Sequence, residues 1–255
     1  MIELPTCPST NSWALDHREA LAHGSCVWTR RQTAGRGRDG TAWRSPPGVL
    51  TASFVLDLDA RVDVTQLALA AGLAIAHAVE DLVPAAKVAI KWPNDCMLAG
   101  RKLAGVLCER PGVPSRTRVG KGDGRDAVVV GIGLNVDPHW GEDHAALPLA
   151  AGKTPPIALA EVGAPPSELA VLIAVRSYLL QACGVLGAGG WDLLLPVLRE
   201  RDWLRDRSVE VVSGDRRWGG TAVGLDAAGG LRVRGEAGER TFASGSVLVG
   251  GDTRA

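Results

Sequence analysis

Apolar residues recur along this chain at two spacings, one helical and one extended. Leu67, Ala70, Ala71, Ala74, Ile75, Ala78, Val79 and Leu82 fall three and four apart, which lines one face of a helix. Asp63-Val64-Thr65-Gln66 reads as a capping box with Gln in place of the acid, and Pro84 closes the run, so a helix is predicted over 64–82. Its alanine-rich face suits close packing on a sheet. Shorter apolar runs rich in β-branched residues predict strands at 26–31, 49–56, 88–92, 103–109 and 127–134, the last being continuous enough to be central. Ser9-Thr10-Asn11 offers N-cap side chains for a helix to Ala22, and 167–183 and 192–205 are further helical stretches. Gly-, Arg- and Pro-rich residues 111–126 predict a surface loop, and 138–166 is irregular. From Ser208 onward the pattern becomes short alternating strands at 209–212, 218–225, 231–233, 240–242 and 247–249. The expectation is an α+β fold: a mixed or antiparallel central sheet with helices packed on it over 1–206, then a small all-β barrel over 207–255.

Composition narrows the classes. A chain of 255 residues, 46% apolar and 22% charged, can bury a sizeable core as a globular protein. Lys+Arg 28 against Asp+Glu 28 gives a net charge of +0, which argues against holding nucleic acid or a membrane surface by bulk charge. No apolar stretch of about 18 residues runs free of charge, so no spanning helix is predicted. Met1-Ile2-Glu3-Leu4-Pro5 has no basic-then-apolar export pattern. Cys7, Cys26, Cys96, Cys108 and Cys183 are odd in number with no C-x-x-C pair, as expected of reduced, mostly buried thiols in a cytoplasmic protein. His139 and His144 lack the spacing and cysteine partners of a zinc site and are expected at the surface.

Candidate chemistry concentrates in three stretches. Gln32-Thr33-Ala34-Gly35-Arg36-Gly37-Arg38-Asp39-Gly40-Thr41-Ala42-Trp43 combines glycines, whose backbone N–H groups can approach an anion, with arginine forks that match carboxylate and phosphate oxygens. Alone it is as compatible with a solvated turn as with a loop wrapping an anionic ligand. Lys91-Trp92-Pro93-Asn94-Asp95 and Arg101-Lys102-Leu103-Ala104-Gly105 place two lysines, a carboxylate and an amide on a hairpin. The lysines could neutralise a carboxylate or a phosphoryl charge, and Asp95 could hold a hydrated Mg²⁺; the plainer alternative is a solvated ion pair. Gly131-Ile132-Gly133-Leu134-Asn135 lacks the third glycine and following helix of a dinucleotide fingerprint, so it reads as a strand end approached by a ligand. Gly152-Lys153-Thr154 fails as a phosphate loop because Leu147 occupies the leading glycine's place.

Taken in order, Ser9-Thr10-Asn11, Gln32-x-Ala34-Gly35-Arg36-Gly37-Arg38-x-Gly40-x-x-Trp43, Lys91-Trp92-Pro93-Asn94-Asp95, Lys102-Leu103-Ala104-Gly105 and Gly131-Ile132-Gly133-Leu134-Asn135 resemble the biotin protein ligase family. The resemblance implies a class II aminoacyl-tRNA-synthetase-like catalytic unit with an SH3-like C-terminal barrel. It implies activation of biotin by Mg-ATP to biotinyl-5′-AMP, then transfer to a lysine of a biotin carboxyl carrier protein domain. It further implies catalytic roles for Lys102, Arg38, Asp95 and Lys91. Biotin would be bound by Ser9, Thr10, Asn11, Gln32, Gly35, Arg36, Arg38, Lys102 and Gly105. ATP and adenylate would meet Arg36, Arg38, Gly40, Trp43, Asn94 and Asn135, with Asp95 the magnesium contact. Thr41 stands where a further arginine commonly completes the loop motif, so loop ordering over the phosphates is expected to be either weaker or supplied by Arg44. The stretch before Ser9 leaves no room for a winged-helix DNA-binding domain, so a ligase without repressor function is expected, monomeric or homodimeric. A lipoate ligase and a non-catalytic Gly-Arg RNA-binding module are the rival readings; 4% aromatic residues and zero net charge count against the second.

Overall fold

The structure is a computed structural model that describes residues 1–111, 125–138 and 154–250. Its larger sheet has seven strands in the order β1-β2-β3-β7-β6-β5-β4. These are β1 (Ile2–Leu4), β2 (Ser25–Thr29), β3 (Val49–Asp59), β4 (Val88–Lys91), β5 (Asp95–Leu98), β6 (Arg101–Glu109) and β7 (Arg125–Asn135). β7 is the middle strand, as its unbroken β-branched run requires. β1 pairs parallel to β2 while the other neighbours are antiparallel, so the sheet is mixed. At three residues, β1 is too short for a periodic signal and escaped sequence reading.

Helix α2 (Val64–Leu82) has the predicted bounds. Asp63 caps it by accepting from the Thr65 and Gln66 N–H groups. Gln66 makes no reciprocal bond to the Asp63 N–H, and its amide N–H donates to Ala228 O. Helix α1 (Thr10–Asp16) is shorter than expected; a separate 3₁₀ turn, Arg18–Ala20, follows it. Helix α3 (Glu168–Gly187) starts on the Ser167 cap. By length and composition α3 could cross a membrane, but Val171, Leu172, Val175 and Leu179 pack into the same apolar cluster as α2. Helix α4 (Trp191–Glu200) stops short of the predicted end because the next residues join the sheet edge. There Ile90 N–H donates to Arg201 O at 2.7 Å and Trp203 N–H to Ile90 O at 2.9 Å.

The second sheet is antiparallel, five strands in the order β11-β10-β9-β8-β12: β8 (Ser208–Ser213), β9 (Arg216–Leu225), β10 (Leu231–Gly235), β11 (Gly238–Phe242) and β12 (Ser246–Val249). The arrangement is consistent with an SH3-like unit. Its Val209, Val211, Ala222 and Leu231 share one buried cluster with α2 and the main sheet. Indole N–H groups of Trp92 and Trp191 reach across to Gly229 O and Ala227 O. The core is therefore continuous between the two sheets. Most of 111–126, residues 139–153 of the irregular stretch, both His139 and His144, and Gly152-Lys153 lie outside the described residues.

Candidate active site

Strand register assembles the site. Directly paired residues on adjacent strands point to the same face. Thr29 pairs with Thr51, Thr51 with Gly133, Gly133 with Gly105, Gly105 with Asp95, and Asp95 with Lys91. One transverse row thus crosses β2, β3, β7, β6, β5 and β4, polar at both ends and without side chains in the middle. A second row on this face runs Val27, Ser53, Gly131 and Leu107.

The glycines make room. A Cβ at Gly133 would lie 2.3 Å from the Trp43 ring, and one at Gly105 would lie 3.3 Å from it, so the indole rests on a floor of bare backbone. A Cβ at Gly131 would fall 2.2 Å from Asn11 Oδ1. Trp43 Nε1–H is buried with no hydrogen-bond partner among the described residues.

The Gly-Arg stretch folds as a small hairpin over this floor. Arg36 bridges Ala42, Trp43 N–H donates to Gly35 O at 2.9 Å, and Gly37 N–H donates to Thr41 O at 2.7 Å. Asp39 and Gly40 turn the tip at φ 55° and 72°, a conformation cheap for Gly and tolerated by Asp. Thr41 Oγ1 donates to Arg38 O at 2.8 Å, so the residue in the place of the missing arginine closes the tip. The tip docks on the second sheet: Arg38 donates to Gly245 O at 3.1 Å, and Ser246 Oγ donates to Asp39 Oδ2 at 3.0 Å.

A cavity of about 340 Å³ lies between hairpin and sheet. Ser9, Thr10, Asn11, Gln32, Arg36, Arg38, Trp43, Lys91, Asn94, Asp95, Lys102 and Gly105 all line it, whereas Gly35, Gly40 and Asn135 do not. A Cβ at Gly35 would lie 2.5 Å from Trp43 O, so this glycine serves close packing of the hairpin base. Asn135 is buried and donates to Ile157 O at 2.9 Å and Lys102 O at 3.3 Å, holding the backbone from which Lys102 projects. Gly131 and Gly133, from the strand end read as approached by a ligand, also line the cavity, as do Thr51 and the strand start Ser246-Val247-Leu248, which were not singled out. Alternation of Gly131 and Gly133 was the available signal for the floor; nothing local marked Ser246.

At one end the chemistry is neutral and polar. Gln32 Oε1 accepts from the Thr10 backbone N–H at 2.8 Å, satisfying a free donor of the first helical turn. Ser53 Oγ sits 2.6 Å from Asn11 Oδ1 and 2.7 Å from Thr10 Oγ1. At the other end it is ionic. Lys102 Nζ lies 2.6 Å from Asp95 Oδ1 and 5.5 Å from the centre of the Trp43 ring. Burial pulls the pKa of Lys91 below the usual lysine value; Asp95 opposes this shift and Lys102 adds to it. Two ammonium groups and the Arg38 guanidinium therefore converge on one wall with a single carboxylate between the lysines.

Comparison with known proteins agrees with this geometry. The profile described as "Biotin/lipoate A/B protein ligase family" matches residues 4–134, and that of the "Biotin protein ligase C terminal domain" matches residues 206–250. A biotin--[acetyl-CoA-carboxylase] ligase of Paracoccus denitrificans is 34% identical over 248 residues, covering 95% of this chain and 98% of that one. The bifunctional ligase/repressor BirA of Escherichia coli is 30% identical, over 89% of this chain and 67% of its own length. The biotin protein ligase of Aquifex aeolicus in complex with biotin and ATP superposes with a TM-score of 0.81 at 25% identity, covering 98% of this chain and 97% of that one.

Proposed function

The chain belongs to the biotin/lipoate A/B protein ligase family, and from that premise we propose that it is a biotin protein ligase. A carboxylate oxygen of biotin attacks the α-phosphorus of ATP and pyrophosphate leaves, giving biotinyl-5′-AMP. The ε-amine of a carrier-domain lysine then attacks the acyl carbon, AMP leaves with the bonding electrons, and an amide remains. Residues 1–206 perform the chemistry, and 207–255 contribute the Ser246 turn that meets the hairpin.

The observation that supports this reading is one cavity with a neutral polar end and a cationic end. The first step brings together two anions, whose repulsion must be cancelled by fixed charge. Lys102, Lys91 and Arg38 supply that charge from elements already packed against each other. A buried end lined by Ser9, Thr10, Asn11 and Gln32, with Ser53 behind Thr10 and Asn11, suits a ureido ring, which offers both donors and an acceptor. These groups pair with one another here, and a ureido ring can exchange into those hydrogen bonds, whereas the dithiolane ring of lipoate offers neither donor nor acceptor. This favours biotin over the lipoate reading.

Magnesium accompanies ATP in such chemistry and neutralises phosphate charge. The donor set fits an ion held mainly by phosphates and water, which needs one or two carboxylates. Asp95 and Asp39 line the cavity and would supply them. Among the described residues no group of three or more His, Cys, Asp or Glu side chains could hold a metal by itself. Exchange of labelled pyrophosphate into ATP should require biotin and be unsupported by lipoate. Exchange driven by lipoate alone would overturn the assignment.

A further inference from the structure

Arg36 does not turn its charge wholly to the cavity. Its terminal nitrogen donates to Glu109 Oε2 at 3.0 Å and to Ser12 Oγ at 3.2 Å. The same Glu109 oxygen accepts from Asn11 Nδ2 at 2.8 Å. Glu109 ends β6 and follows Gly105 and Leu107 at alternate positions on the site face, yet it does not line the cavity. Among the described residues Arg36–Glu109 is the ion pair that the hairpin makes, since at the tip Arg38 donates to neutral oxygens of Asn94 and Gly245.

We propose that Glu109 is a positioning residue, whose carboxylate tethers Arg36 and so holds the Gly-Arg hairpin closed over the cavity. The inference rests on the ligase reading above. Biotin must enter beneath the hairpin, and the carrier lysine must later reach the acyl carbon, so the hairpin has to open and close within each turnover. A partly exposed ion pair at the hairpin base, beside the tip contacts of Arg38 and Asp39, contributes to that balance and is weakened by salt. The shared oxygen also couples closure to the polar wall, because Asn11 Oδ1 lies 2.6 Å from Ser53 Oγ. Asn11 keeps a second acceptor, Leu107 O at 3.1 Å, so losing Glu109 leaves its amide satisfied and the fold intact.

The test uses the whole chain with Glu109→Ala and Glu109→Gln. Without ligand, amide hydrogen exchange of residues 35–43 should quicken in Glu109→Ala. With biotin and ATP, release of the adenylate should quicken about three- to tenfold, the range of a partly exposed charge-assisted pair, with KM for biotin rising and the adenylation rate changing less than about threefold. One molar salt should shrink the difference from wild type, and Glu109→Gln should fall between wild type and Glu109→Ala. Unchanged hairpin exchange in Glu109→Ala, or a difference from wild type that one molar salt leaves untouched, would overturn the proposal. If wild type showed no biotin-dependent exchange of pyrophosphate, the ligase reading would fall instead, while the ligand-free exchange arm would still decide the tether.

Discussion

Trp28, Ala52, Ile132 and Val106 lie abreast on four neighbouring strands, and one residue along lie Thr29, Thr51, Gly133 and Gly105. The first row sends its side chains into the apolar cluster built with α2 and α3. The second faces the hairpin and carries either hydroxyls or nothing. A shift of one residue separates a dry, close-packed face from a wet one with deliberate gaps. The dry face is stabilised by filling space, whereas the wet face works because two side chains are missing. Removing volume should therefore harm the first, and adding it should harm the second.

The largest effect is expected on the dry side. Phe54 is fully buried, so Phe54→Ala should cost about 3–5 kcal/mol in urea unfolding. Exchange activity per folded molecule should be nearly unchanged, since the side chain points away from the cavity. The mirror experiment adds one methyl on the wet side. Gly133→Ala puts a Cβ where Trp43 now lies 2.3 Å away. It should lower biotin-dependent exchange about 100-fold, as expected when a ligand-bearing group is displaced by an ångström or so. A combined Gly133→Ala/Trp43→Ala variant should be less than additive. If Phe54→Ala lost activity while Gly133→Ala did not, the contrast between the faces would be wrong.

The same contrast explains what the sequence makes legible. Helix α2 could be read to the residue because its period, cap and terminating proline are all local. β7 and the five strands of the second sheet were found for the same reason. The Gly-Arg stretch and the Lys91 and Lys102 hairpin could be named as candidates from composition and spacing. Their joint lining of one cavity depends on register across β4 to β7, which no local pattern encodes. Glu109 and Ser246 were missed because their partners are 73 and 207 positions away. The last predicted turn of α4 was misread because 201–203 hydrogen-bond to Ile90, a tertiary contact that overrides helical propensity.

A charge on the dry side sharpens the comparison with a smaller effect. Glu80, on α2, accepts from both terminal nitrogens of Arg201 at 2.7 and 2.8 Å and from Val88 N–H at 3.0 Å. The Arg201 bonds hold its pKa below the usual carboxylate value; burial opposes the shift and the Val88 bond assists it. A depressed folded pKa contributes stability above the unfolded value, and that contribution is lost as pH falls through the folded one. Glu80→Gln should cost about 1–3 kcal/mol at pH 7 and progressively less below pH 4. Equal cost at both pH values would show that shape, not charge, holds this joint.

The thiols give the smallest effect and the finest separation. Cys26, Cys96 and Cys183 are buried in the dry cluster, and burial raises all three; it pushes Cys26 and Cys183 up to about 12. At pH 8 the reactive thiolate is therefore scarce at Cys26 and Cys183. Cys7, also buried and raised, sits instead at the base of the site: it bridges Gln32, and its carbonyl accepts from Thr33 N–H at 3.0 Å. Native protein treated with iodoacetamide should show slow labelling at Cys7 that biotin plus ATP slows further by ordering the hairpin. Cys26, Cys96 and Cys183 should stay unmodified with or without ligand. Mass spectrometry of tryptic peptides reads both, and ligand protection spread equally over these thiols would mean that closure is felt on both faces of the sheet.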